Sequence, residues 1–233
     1  MSMQTWKDVW NSRRMDPSRH SILARLLAAD GMDTGFGSVD EEPWRDYVKR
    51  AAAEIGIKSR SSVFEVGCGA GAWLYELARM GCDVAGLDAS PALIGYAREY
   101  LPQGKWSIGD AAALEPAPTY DFVVSSGVFL YFPSLDYASR VLARMVHKAK
   151  QGVLILDVPD FTLRDEALAA RRNTMDEETY RRRYKGLDHL YFEKAWFQSA
   201  LEGLGAGRIE IRNQSIDGYG NSRYRFNVIA WLR

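Results

Sequence analysis

Cysteine is nearly missing from this chain. Two thiols, Cys68 and Cys82, in 233 residues are too few for a disulfide-stapled scaffold. With no signal-like segment ahead of them, both are expected as free thiols in a reducing, cytoplasmic setting. Histidine is almost as scarce. His20, His147 and His189 stand too far apart to form a ligand set, so no metal centre is expected. No apolar run approaches the roughly 18 residues of a membrane-spanning helix, which points to a soluble protein without a membrane partner. A dominant sign of charge is also absent: Lys plus Arg and Asp plus Glu number 30 each, without a long tract of either, so a nucleic acid finds no electrostatic footprint. There is no internal repeat and no low-complexity tract. The length suits one domain that buries about 70–75% of its unfolded surface, with room for a small cap and none for a second catalytic domain. A small molecule remains as the expected partner.

The most informative stretch is Val63 to Trp73, VFEVGCGAGAW. Val63 to Val66 reads as a short buried parallel strand carrying one acid, Glu65. Gly67, Gly69 and Gly71 then leave a turn that no side chain obstructs. From Ala72 the apolar spacing becomes helical, with Leu74, Leu77 and Ala78 on one face, so a strand feeds a glycine turn that opens a helix N-terminus. That architecture suits a nucleotide or nucleoside. The glycine order is G-x-G-x-G rather than the G-x-G-x-x-G of dinucleotide sites. Glu65, two residues before the first glycine, would repel a pyrophosphate and attract a cationic, phosphate-free ligand. The E-x-G-x-G-x-G pattern resembles the first motif of class I S-adenosylmethionine (SAM)-dependent methyltransferases.

The chain around this motif alternates strand and helix. Asp83 to Leu87, Lys105 to Ile108, Tyr120 to Ser125 and Gly152 to Val158 read as strands, with helices at Ser90 to Tyr100 and Ser134 to Ala149, the pattern of a parallel sheet. Asp88 ends the second strand in Gly86-Leu-Asp-Ala-Ser90, where an acid accepts bonds from ribose hydroxyls, and Ser90-Pro91 caps the next helix. Gly109-Asp110-Ala111 follows the third strand, where the family resemblance implies contact with adenine. Tyr120 to Pro133 resembles the family's fourth-strand motif, with Ser125-Ser126-Gly127 at its carboxyl end. The resemblance thus implies that Glu65, Gly67, Cys68, Gly69, Asp88, Ala89, Asp110, Ala111 and Ser126 hold SAM. It implies a doubly wound α/β fold of seven mostly parallel strands with an antiparallel last strand.

Two helical segments flank that core. Residues 1–60 carry helical patterns at Thr5 to Trp10, Ser18 to Ala29 and Glu41 to Ile55, interrupted by a glycine-rich break at 30–37. The family resemblance makes this segment a lid over the cofactor, with Thr34 to Gly37 as its mobile part; an ordinary connector reads equally well. The domain proper is 61–233. Residues 160–190 interrupt the alternation after strand five, where such enzymes carry a substrate cap. Four charge pairs there stand four apart (Asp160 with Arg164, Arg172 with Asp176, Glu177 with Arg181, Glu178 with Arg182) and read as a solvated face. Arg171 and Arg183 lack such partners and, with Tyr184, are candidates to contact an anionic substrate. A closing helix, Tyr191 to Leu204, and two strands, Arg208 to Arg212 and Arg223 to Leu232, complete the chain.

The function implied is that of an enzyme transferring methyl from SAM to an oxygen or nitrogen of a small-molecule metabolite, with O-methylation favoured. A small-molecule N-methyltransferase and a catalytically silent SAM-binding protein stay open, whereas an NAD-binding protein is opposed by Glu65 and the glycine order. The fourth strand ends in Ser125-Ser126-Gly127-Val128 instead of the acid or Asn, two prolines and an aromatic of base and glutamine N-methyltransferases, which argues against those substrates. On the substrate side, the resemblance puts Tyr131 where relatives carry a histidine. His189 is then the imidazole expected near the cap, to take a proton, to orient the acceptor, or only to cap the next helix.

Overall fold

The computed structural model describes residues 5–33 and 35–232. Three helices come first: α1 (Trp6–Ser12), α2 (Ile22–Ala29) and α3 (Glu41–Ile55). The alternating core comprises β1 (Ser62–Val66), α4 (Ala72–Arg79), β2 (Asp83–Asp88), α5 (Pro91–Tyr100), β3 (Lys105–Ile108), β4 (Tyr120–Ser126), α6 (Leu135–Lys148) and β5 (Ala149–Pro159). Two further helices, α7 (Arg164–Arg172) and α8 (Glu177–Tyr184), then precede α9 (Lys194–Gly203), β6 (Arg208–Asn213) and β7 (Arg225–Trp231).

These strands form one sheet of seven in the order β3-β2-β1-β4-β5-β7-β6. The pairs β1–β2, β1–β4, β2–β3 and β4–β5 are parallel, and β7 runs antiparallel to both neighbours. The fold is thus the doubly wound α/β plate expected, with one reversed strand. Because successive residues of a strand face opposite sides, Val63 and Phe64 enter different cores. Val63 joins Leu26, Trp44, Val48, Trp73, Leu77 and Ile94 beneath α2–α5. Phe64 joins Val141, Leu142, Met145, Phe197 and Phe226 beneath α6 and α9. Each large apolar side chain fully buried in these layers contributes about 1.5–3 kcal/mol. Among the described residues, no helix is long and apolar enough to cross a membrane.

Several local expectations shift by tertiary contact. The second helix begins at Ile22, not near Ser18, because Ser21 caps it by accepting from Ala24 N while Asp16 holds Ser18 in a preceding turn. The penultimate helix begins at Lys194, not Tyr191. The Phe192 N–H donates to Pro159 O and the Phe161 N–H to Phe192 O, and these backbone bonds draw Phe192 into a parallel bridge with Asp160, just past the end of β5. Of the four proposed charge pairs in the cap, Glu177–Arg181 forms, at 2.9 Å. Asp160 instead pairs with Lys194 at 3.1 Å, Arg164 turns to Asp165, Asp176 caps α8 by accepting from Thr179 N, and Arg172 lies over the Tyr180 ring. In the 30–37 break, Gly35–Gly37 forms a 3-10 turn; Thr34 lies outside the described residues.

Candidate active site

The carboxyl ends of β1, β2 and β4 open into a cavity of about 970 Å³, at the edge where ligands bind in open α/β sheets. Gly67 and Gly69 build its floor. Gly67 has φ +73°, and a Cβ there would lie 2.5 Å from Val128 Cγ2; at Gly69, with φ +55°, a Cβ would collide with Asp30 Oδ1. Only glycine lets the backbone pass so close.

Three carboxylates meet at this turn. Asp88 accepts from Gly69 N at 2.9 Å and from Ser90 N at 2.8 Å, so both of its oxygens already tie the turn to the end of β2. Asp30, which ends α2, accepts from Ala70 N at 2.5 Å and Ala72 N at 3.0 Å, completing the N-terminus of α4. Glu65 is only 3% exposed, and among the described residues its Oε2 has no hydrogen-bond partner. Burial, then the neighbouring Asp30 and Asp88 charges, pushes Glu65 well above the usual carboxylate range. Burial likewise raises Asp30 to about 7, against the pull of the two amides, and raises Asp88. A buried acid without a partner beside two others is costly alone and is relieved by a cationic group. Cys68, on the same turn, is a buried thiol raised by burial and by these acids.

The cavity continues past β3. Asp110 is exposed there and uses Oδ1 to accept from Ala112 N at 2.8 Å and from Tyr137 OH at 2.6 Å. Ala89, Ala111 and Ser126 line the same wall. All nine residues proposed for the cofactor therefore border one space.

At the other end the lining becomes aromatic and cationic. The Trp6 ring of α1 stacks on His189 with centroids 4.8 Å apart, and Tyr131 meets both rings. Trp6 Nε1 donates to Asp188 O, pinning α1 to the segment before α9. His189 Nδ1 lies 3.0 Å from Arg171 Nη2. Guanidinium only donates, so Nδ1 must accept and the ring proton sits on Nε2, which is buried without a partner among the described residues. Burial, then the Arg171 and Arg225 charges, lowers the His189 pKa well below its ordinary value, leaving the ring neutral. Burial raises Tyr131 to about 12.

Behind Tyr131 lies a polar cluster. Asp157, 4% exposed and at φ +58°, accepts from Tyr219 OH at 3.0 Å and from Gln214 Nε2 at 3.3 Å. Arg225 Nη1 donates to Asp157 O at 3.1 Å and stands 3.6 Å from Oδ2. The catalytic and substrate candidates Tyr131, His189, Arg171 and Tyr184 all line this end; the side chain of Arg183 lies outside the described part of the molecule. Sequence reasoning missed Asp30, Trp6 and Arg225. The Asp30-Gly31 pair read only as a helix stop, and nothing in the strand pattern around Arg225 separates it from a surface arginine. The one signal that could have found this cluster is Asp157, an acid inside the apolar run of β5.

Comparison with known proteins agrees with this architecture. Residues 36–203, more than half of the chain, match a family model described as a methyltransferase domain. The nonribosomal peptide synthetase asqK of Emericella nidulans is 28% identical over 157 residues, 63% of this chain and 6% of that protein. Magnesium-protoporphyrin O-methyltransferase of Rhodobacter capsulatus is 36% identical over 103 residues, 42% of this chain and 45% of that protein. The chain thus spans less than half the length of these curated relatives. Among solved structures, magnesium protoporphyrin IX methyltransferase (ChlM) from Synechocystis PCC 6803 with bound SAH superposes with a TM-score of 0.63 at 19% identity, covering 97% of this chain and 98% of that one. With the family model spanning the glycine turn, the strand ends and α7 and α8, the chain belongs to the methyltransferase domain family.

Proposed function

We propose that this chain transfers a methyl group from SAM to an oxygen or nitrogen of a small molecule, with oxygen favoured. The observation that carries this reading is the pairing of a Cβ-free turn at Gly67 and Gly69 with the buried, unpartnered Glu65 Oε2. A pyrophosphate would be repelled by three acids; a ligand bearing an amine and a sulfonium would be held by them. Glu65 and the glycine turn, with Cys68, would hold the cationic end. Asp88 and Ala89 would take the ribose, using the lone pairs that the two amides leave free, and Asp110, Ala111 and Ser126 the base.

SAM supplies an electrophilic methyl group; the chain's own contribution is to orient the acceptor and exclude water. Tyr131 and His189 act here as orienting donors. The fixed tautomer gives His189 a proton to share at Nε2 while Arg171 occupies Nδ1, so the ring directs a bond instead of removing a proton. Arg171 and Tyr184, with Arg183, form the substrate side of the cap at 160–190. In the segment before residue 61, α2 and α3 belong to the core, and closure over the donor falls to α1 and the 30–37 break.

The test is calorimetric titration with SAM, its demethylated product and NAD. SAM and the product bind, NAD does not, and Glu65→Gln weakens SAM at least about tenfold, the loss expected for one charge-assisted contact. Equal affinity for NAD, or unchanged binding in the Gln variant, overturns the assignment. SAM binding without methyl transfer to any fraction of a metabolite extract would make the chain a silent binder.

A further inference from the structure

The end of the cavity away from the three acids combines flat aromatic walls with cations, and its carboxylate, Asp157, is engaged by Tyr219, Gln214 and Arg225. Arg225 is neutralised by Asp157, and Arg13 by Asp33 at 3.1 Å. Arg171 has no carboxylate partner among the described residues: its partners are His189 Nδ1 and the Tyr184 ring. Arg171 therefore brings an uncompensated positive charge to this end, beside a buried Nε2–H donor and rings at Trp6, Trp10, Tyr131 and His189.

Among the described residues, the bases that an alcohol or phenol acceptor would need are engaged. His189 Nδ1 is held by Arg171. Tyr131 is protonated at any ordinary pH, and Tyr219 donates to Asp157, whose oxygens are shared with Gln214 and Arg225. Glu65, Asp30 and Asp88 face the donor end. An ammonium would meet the Arg171 charge unfavourably. A carboxylate fits: it is already anionic, needs no base, and matches the planar fork of a guanidinium.

Resting on the methyl-transfer reading above, we propose that the acceptor is a flat carboxylic acid, bound through its carboxylate by Arg171 with the His189 Nε2–H beside it, and that this carboxylate receives the methyl to give a methyl ester. A carboxylate oxygen lone pair forms the new C–O bond as the sulfonium C–S bond breaks and its electron pair returns to sulfur. An anion and a cation become two neutral groups and no proton moves. Such loss of opposite charges is favoured in a space shielded from water.

The experiment uses the whole chain saturated with the demethylated product, titrated with benzoate, cinnamate and 2-naphthoate and with the corresponding carboxamides. At least one acid binds about tenfold or more tightly than its amide, as expected for a charge-assisted pair. Arg171→Gln, or Arg171→Lys should the first fold poorly, abolishes most of that preference while the affinity for the demethylated product stays within about twofold, a split that a merely structural role would not give. In parallel, methyl-labelled SAM and the same acids yield label that mild alkali releases as methanol. Acids and amides binding alike, no acid binding, or alkali-stable label each overturn the proposal while leaving methyl transfer intact. Failure of SAM and its product to bind would overturn the methyl-transfer reading itself, and this inference with it.

Discussion

At Asp30 one carboxylate does two jobs. It closes the N-terminus of α4 through Ala70 and Ala72, and it stands beside Glu65 and Asp88, with the Arg13 cation also in range. Its pKa in the folded chain, raised by burial from 3.8 to about 7, sets a pH dependence of cofactor binding. Below that value the group is neutral, and above it charged. A cationic ligand prefers the charged form, so binding lowers the pKa and releases protons, and affinity rises with pH through the neutral range. From pH 6 to 8, SAM should bind several-fold more tightly, with a ceiling of about tenfold per pH unit per proton released. Asp30→Asn should flatten this rise measured with the same ligand, which cancels the ionisation of SAM itself. Calorimetry giving parallel profiles for wild type and variant would remove Asp30 from the site.

At the scale of an element, the turn from β1 into α4 is held by its lack of side chains. Gly67→Ala brings a methyl to 2.5 Å from Val128 Cγ2 in a backbone of φ +73°. The backbone strain is worth about 1–3 kcal/mol, and displacement of Val128 adds to it. Thermal unfolding should show a lower Tm, and SAM affinity should fall because the loop withdraws from the cavity. Adding Val128→Ala should recover the packing part and leave the backbone part. Full recovery in the double variant would mean that conformation is not what glycine supplies there. The cap shows a different balance. Its helices α7 and α8 are charged on most faces, and of its expected i, i+4 ion pairs Glu177–Arg181 forms. Arg172 takes a ring and Asp176 a backbone amide instead, since exposed pairs contribute only a few tenths of a kcal/mol each and yield to nearer partners.

Over the whole molecule, the cavity is roofed in part by a helix with little burial of its own. Helix α1 buries no residue fully and reaches the body through Trp6, Trp10 and their ring contacts. Segments with so few buried contacts open at little cost. Ligand binding beneath them should therefore slow cleavage by trypsin after Arg13 and Arg14, by several-fold at saturating demethylated product, with peptide mapping to locate the cut. An unchanged rate at those sites would mean that α1 does not close over the ligand.

The family's plate, its glycine turn, and the places of Glu65, Asp88 and Asp110 were legible because each depends on neighbours in sequence: a strand, a turn without side chains, and the start of a helix. The residues that complete the site were not. Asp30 meets Ala70 from 40 residues away, Arg225 meets Asp157 from 68, and Trp6 meets Asp188 from 182. Spacing carries no trace of such contacts, since an acid ending a helix, an arginine opening a strand and a tryptophan near a terminus each have common solvent-exposed uses. The state of His189 belongs with these. Chain position makes an imidazole near residues 160–190 an expectation, with helix capping as an equal use for it; the placement of its proton on Nε2 follows from the Arg171 guanidinium set against Nδ1 by the fold, because a group that can only donate forces its neighbour to accept.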